Sequence, residues 1–144
     1  MAILKFLHSY WAYLVLLIVV MATINSIIGM LTKKEFGAKD FRIALIALIV
    51  THIQLLIGIV LYIFANNFGD VEMIVIMKNA TLRLKNIEHP LLMIVAIALL
   101  TIGYSKHKRK RTSSGKFKTL AIGYTLALIA ILAMIPWKAW FNIS

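Results

Sequence analysis

The chain has no cysteine, only two prolines and only five acidic residues among its 144. Without thiols there can be no disulfide exchange, no thiolate metal site, no iron–sulfur cluster and no covalent attachment of a c-type haem. The acids are also absent from particular places. No Asp, Glu, Lys or Arg occurs in the runs 6–32, 43–69, 89–105 and 119–137. A helix crosses the hydrocarbon core with roughly 17–25 such residues, which three of these runs supply comfortably and the run 89–105 just supplies. The expected fold is an all-α membrane protein, a single four-transmembrane-helix bundle over residues 1–144, with helices at about 6–31, 41–64, 89–105 and 117–135. Little chain is left for a soluble domain. With no acid at membrane depth, the usual coupling group of a proton- or cation-driven transporter is missing. Nothing positions a serine or tyrosine beside a base, and there is no phosphate-binding glycine loop and no metalloprotease spacing.

What is abundant is apolar surface, 62% of residues, and positive charge, a net +11. A basic chain invites a nucleic-acid reading, but the positions of the cations argue against one. Eleven of the sixteen fall in two short connections: Lys33, Lys34, Lys39 and Arg42 in one, Lys106, Lys108, Arg109, Lys110, Arg111, Lys116 and Lys118 in the other. Four alternating helices put both connections on one side, which the positive-inside rule makes cytoplasmic. The topology is then N-out and C-out, in a bacterial cytoplasmic (inner) membrane. The first run is too long for a signal peptide and has no small-residue cleavage site, so it reads as a mature helix.

Tyr10, Trp11 and Tyr13 at the start of the first helix read as an interfacial aromatic belt, matched by Trp137 and Trp140 after Pro136. Asp40 is placed to cap the second helix. Asn66, Asn67, Gly69 and Asp70 break that helix and open the longest connection, an outer loop read as an interfacial helix or a lid. Pro90 reads as a first-turn proline opening the third helix, where its missing N–H costs nothing. Stripes of small residues run along the helices from His8 (Ala12, Val15, Val19, Ala22, Ser26), from His89 (Met93, Ala96, Leu100, Gly103) and through Gly123, Ala127, Ala130 and Met134. These are surfaces along which membrane helices approach closely.

Both His8 and His89 therefore lie on inward faces, each near the outer start of its run. Imidazole gains nothing from lipid and needs a partner there. Three readings fit: hydrogen bonds to backbone or water, a shared haem iron with one axial ligand from each helix, or another metal. The haem reading makes His8 and His89 the iron ligands. It also asks for cations near the anionic propionates, for which Lys5, Arg83, Lys85 and Lys138 are placed, with Trp137 as a donor. His52 and Gln54 form a secondary polar site. His52 is roughly 20 Å below the outer end of its helix and reads as an interhelical hydrogen-bonding group or as part of a proton or quinone-related function. His107, among lysines, reads as solvated.

The segments LHSYWAYL at 7–14, THIQLLIG at 51–58, EHPLLM at 88–93, GYSKHK at 103–108 and IPW at 135–137 resemble the small four-helix bacterial membrane proteins called cytochrome B, over nearly the whole chain. More distantly, the chain is similar to one half of heme A synthase, with His8, the QLLIG run at 54–58 and His89 in the places of its helix-opening histidines and intervening Gln-x-x-x-Gly helix. The arginine that follows that enzyme's first histidine is absent, and only one bundle is present. The resemblance thus implies haem binding rather than haem hydroxylation. Its implied function is a b-type cytochrome carrying one haem b near the outer face and passing electrons to a redox partner protein or quinone, without a catalytic site of its own. The alternative is a haem-free accessory or assembly subunit of a larger membrane complex. A homo-oligomer fits either reading.

Overall fold

A computed structural model describes residues 2–135, so Pro136, Trp137, Lys138 and Trp140 lie outside the described residues. The elements are α1 (Ala2–Leu31), α2 (Ala38–Ala65), α3 (Met73–Lys78), α4 (Ala80–Arg83), a π-helical turn (Leu84–Glu88), α5 (His89–His107) and α6 (Ser113–Met134). There is no strand among the described residues. Four stretches are long and apolar enough to cross a membrane: α1, α2, the continuous helix Ala80–His107, and α6. The protein is a four-helix membrane bundle, as the charge-free runs predict.

Helices pack around the bundle in the order α1, α2, α5, α6, so that α1 and α5 stand diagonally across it. The seam between α5 and α6 is the closest. There Gly103 and Gly123 face one another, and a Cβ on Gly123 would come within 2.8 Å of the Gly103 Cα. Only glycine permits that backbone approach. The seam between α2 and α5 is the loosest of the four. Between them lies a core of small and branched side chains, including Val15, Val19, Ala22, Ala47, Ala96, Leu100 and Ala127. Much of the predicted small-residue stripes is therefore bundle interior, while Leu17, Met21, Leu56, Leu91, Ile122 and Ile129 turn outward. Tyr124 crosses the centre from α6, its hydroxyl donating to the Ala44 carbonyl of α2 at 2.7 Å.

At the end carrying the basic connections the buried side-chain polar groups all have partners among the described residues. Asp40, only 2% exposed, accepts from Asn25 Nδ2 at 2.9 Å, the Gly37 N–H at 2.9 Å and Lys34 Nζ at 3.1 Å. It caps α2 from inside the first turn rather than from before it, because α2 begins at Ala38 and not near 41. The Phe36 N–H donates to Ser113 Oγ at 2.9 Å, which ties the two basic connections together. His107 is not solvated as its lysine neighbours implied. It is 1% exposed, with the rings of Phe36, Phe41 and Tyr104 around it and its Nδ1 on the Tyr104 carbonyl.

The third span departs most from the sequence expectation. Pro90 does not open the helix, which continues back to Ala80. A proline inside a helix deprives the carbonyl four residues earlier of its N–H donor. That carbonyl belongs to Asn86, and the Tyr62 hydroxyl of α2 donates to it at 2.7 Å instead. The backbone widens into the π turn just before Pro90, the His89 N–H reaching the Leu84 carbonyl. Asn86, also buried, holds the connection after α2 by accepting the Asn67 N–H at 2.9 Å and donating to Asn67 Oδ1 at 3.1 Å.

Candidate functional site

His8 on α1 and His89 at the start of α5 meet across the diagonal of the bundle. Their ring centroids are 6.3 Å apart and the ring planes are 86° apart. The diagonal packing brings the two together, as the sequence reading of matched depth expects.

The His89 ring is held by α6, and the backbone of His8 is tied to α2. Nδ1 of His89 lies 2.8 Å from the Met134 carbonyl, one of the last carbonyls of α6, which has no partner within its helix. A carbonyl only accepts, so His89 carries a proton on Nδ1 and donates it there, and Nε2 is the nitrogen left for any further partner. On α2, Gln54 Nε2 donates to the His8 carbonyl at 2.8 Å. Gly58, one turn further along α2, makes room for the ring: a Cβ there would sit 3.3 Å from His8 Cε1. Gln54 therefore belongs with His8 and not with a secondary site around His52. Trp11 is anchored between helices too, Nε1 donating to the Val50 carbonyl at 2.8 Å, so among the described residues of the predicted belt Tyr10 and Tyr13 are the ones that face outward.

Two polar atoms in this region are buried without a hydrogen-bond partner, His8 Nδ1 and Gln54 Oε1. An unpaired buried polar atom costs about 1–3 kcal/mol, and here a donor-capable ring nitrogen and an acceptor are orphaned on side chains from adjoining helices. A proton on His8 Nδ1 shared with the Gln54 oxygen would satisfy both. It would also leave His8 with an Nε2 lone pair, the state in which imidazole binds a metal.

Whether a haem fits can be tested on spacing. Metal–imidazole bonds of about 2 Å put the centres of two rings on one ion about 6 Å apart. The His8–His89 centroid separation of 6.3 Å is of that order. The donor set is two imidazoles. No group of three or more His, Cys, Asp or Glu suited to a metal ion occurs among the described residues. The grooves between α1 and α6 and between α1 and α2 are lined by neither histidine.

The remaining predicted residues divide. Arg83 is committed nearby, Nη1 donating to the Met77 carbonyl at 2.7 Å and Nε lying 3.5 Å from Glu88. Lys85 is exposed. Trp137 and Lys138 lie outside the described residues. His52 is separate from the pair: its Nδ1 lies 2.8 Å from the Leu48 carbonyl and its Nε2 3.5 Å from Thr101 Oγ1. It lies six residues below Gly58, so about 9 Å deeper than the His8 ring. Sequence reasoning missed Asn86, Tyr62 and the Met134 carbonyl, whose parts depend on partners far along the chain. Gly58 was legible as part of the QLLIG run.

Comparison with family profiles, with curated proteins and with solved structures returns no match for this chain.

Proposed function

We propose that this chain is a b-type cytochrome-like membrane protein that holds one haem b between His8 and His89, as its resemblance to the cytochrome B proteins implies. The observation that supports the reading is the 6.3 Å spacing of two imidazoles contributed by diagonal helices. Bound there, a haem would supply one-electron redox chemistry. The chain would contribute two axial nitrogens, orientation of His89 through the Met134 carbonyl, orientation of His8 by Gln54 and Gly58, and a low-dielectric surround that sets the potential. Electrons would pass to a redox protein or to quinone. The positive-inside rule puts the histidine end outside a bacterial cytoplasmic membrane.

Absorption spectroscopy of the purified protein tests this directly. The expected result is a Soret band and a sharp reduced α-band, both lost in His8→Ala and in His89→Ala. Haem absent at every stoichiometry, with a partner protein retained in mild detergent, would replace this reading with that of an accessory subunit. In that case the ties from His89 and Gln54 to neighbouring backbones serve packing alone.

A further inference from the structure

Two grooves run along the lipid-facing surface, and they differ in one respect. The first, about 220 Å³, lies between α1 and α2 and is lined only by Ile18, Met21, Ile43 and Ile46. The second, about 530 Å³, lies between α1 and α6 toward the basic end and carries Lys118 among otherwise uncharged residues, Ile27, Met30, Ala121, Ile122 and Leu126 among them. It opens broadly toward the lipid, and its lining surface is almost wholly apolar, Lys118 bordering it through its stem. Lys118 is exposed and makes no ion pair among the described residues. It stands five residues inside α6, where a lysine extends its ammonium toward the headgroup layer while its stem covers apolar surface. Small Ala121, one turn further in, forms the floor.

From this pairing of a cation at the membrane surface with an apolar channel directly beneath it, we infer that the α1–α6 groove is a site for one anionic phospholipid. The phosphate lies against Lys118 and an acyl chain lies along the groove. Charge complementarity selects the occupant. The surrounding end of the bundle carries eleven of the sixteen cations but only Glu35 and Asp40 as acids, and Asp40 is consumed by its internal partners. A zwitterionic lipid would bring a second positive charge into that field. Basic pockets between membrane helices on the cytoplasmic side bind anionic headgroups for the same reason. The α1–α2 groove has no cation and accepts acyl chains of any lipid alike. This inference does not depend on haem.

The test reconstitutes the full chain in vesicles of one part phosphatidylglycerol to three parts phosphatidylcholine. Lipid retained on the protein is then counted by native mass spectrometry after extraction in mild detergent. The expected result is enrichment of phosphatidylglycerol on the wild-type chain, reduced about fivefold in Lys118→Gln, the effect of removing one lysine charge at a membrane surface. Lys33→Gln, exposed in the connection after α1 and outside the groove, should keep the enrichment. Equal retention of the two lipids by the wild-type chain overturns the site. So does enrichment that survives Lys118→Gln, or that falls equally in Lys33→Gln, because either result assigns the preference to the charge of the whole end.

Discussion

The two ends of the bundle treat buried polar groups in opposite ways. At the basic end, Asp40 has a donor for each demand, and Phe36, Phe41, Tyr104 and Phe117 pack the surroundings. At the histidine end, His8 Nδ1 and Gln54 Oε1 are left unpaired and the helix before His89 widens. His8 Nδ1 and Gln54 Oε1 are complementary, so a proton on that ring nitrogen would let the two pair with each other. The difference teaches that the basic end closes its polar groups whatever the state of any side chain, whereas pairing at the histidine end depends on which nitrogen of His8 carries the proton.

The largest expected effect comes from breaking the basic end. Asp40→Ala removes the acceptor of the Gly37 N–H and of Asn25 and is expected to cost about 2–3 kcal/mol. The half-exposed Lys34 pair adds little to that figure, since solvent screens it. Denaturant titration in detergent micelles reads the loss, and an unchanged midpoint would remove the contrast between the ends.

A smaller effect is expected at the margin of the histidine end. Tyr62→Phe leaves the Asn86 carbonyl with neither the N–H that Pro90 lacks nor a hydroxyl, at a cost of about 1 kcal/mol. The same titration measures it, together with faster amide exchange over residues 84–89.

The smallest effect on stability belongs to Gln54→Leu. The substitution deletes one hydrogen bond to a helix carbonyl but also removes an orphaned acceptor, so the net change should lie within about 1 kcal/mol of zero. Its value is diagnostic. If a haem is bound, loss of the amide beside His8 should move the reduced α-band or lower occupancy. An unmoved spectrum with full occupancy would show that Gln54 serves packing alone.

Much of the architecture was legible because it depends on local composition. Uncharged runs located all four spans, and the small residues at helical spacing marked much of what is buried, Val19, Ala96, Leu100 and Ala127 among them. Span ends were less legible, since absence of charge marks where hydrocarbon begins and not where hydrogen bonding stops. α2, α6 and the third span accordingly begin before their first charge-free residue. The histidine pair could be read from depth alone. Its supports could not: the Met134 carbonyl, 45 residues from His89, and Gln54, 46 residues from His8, become neighbours only after the bundle closes. His107 was misjudged because the rings that enclose it, Phe36 and Phe41, come from far along the chain, while Lys108 lies over the outer side of the cage at Tyr104.

The π turn at Leu84–Glu88 carries one residue more than an α-helix of the same rise would hold. One residue corresponds to about 100° of rotation around a helix axis. Without it, a helix keeping Asn86 turned toward Tyr62 and Asn67 would swing the His89 imidazole about a quarter-turn away from His8. The extra residue therefore sets the loop anchor and the imidazole to independent bearings on one continuous rod.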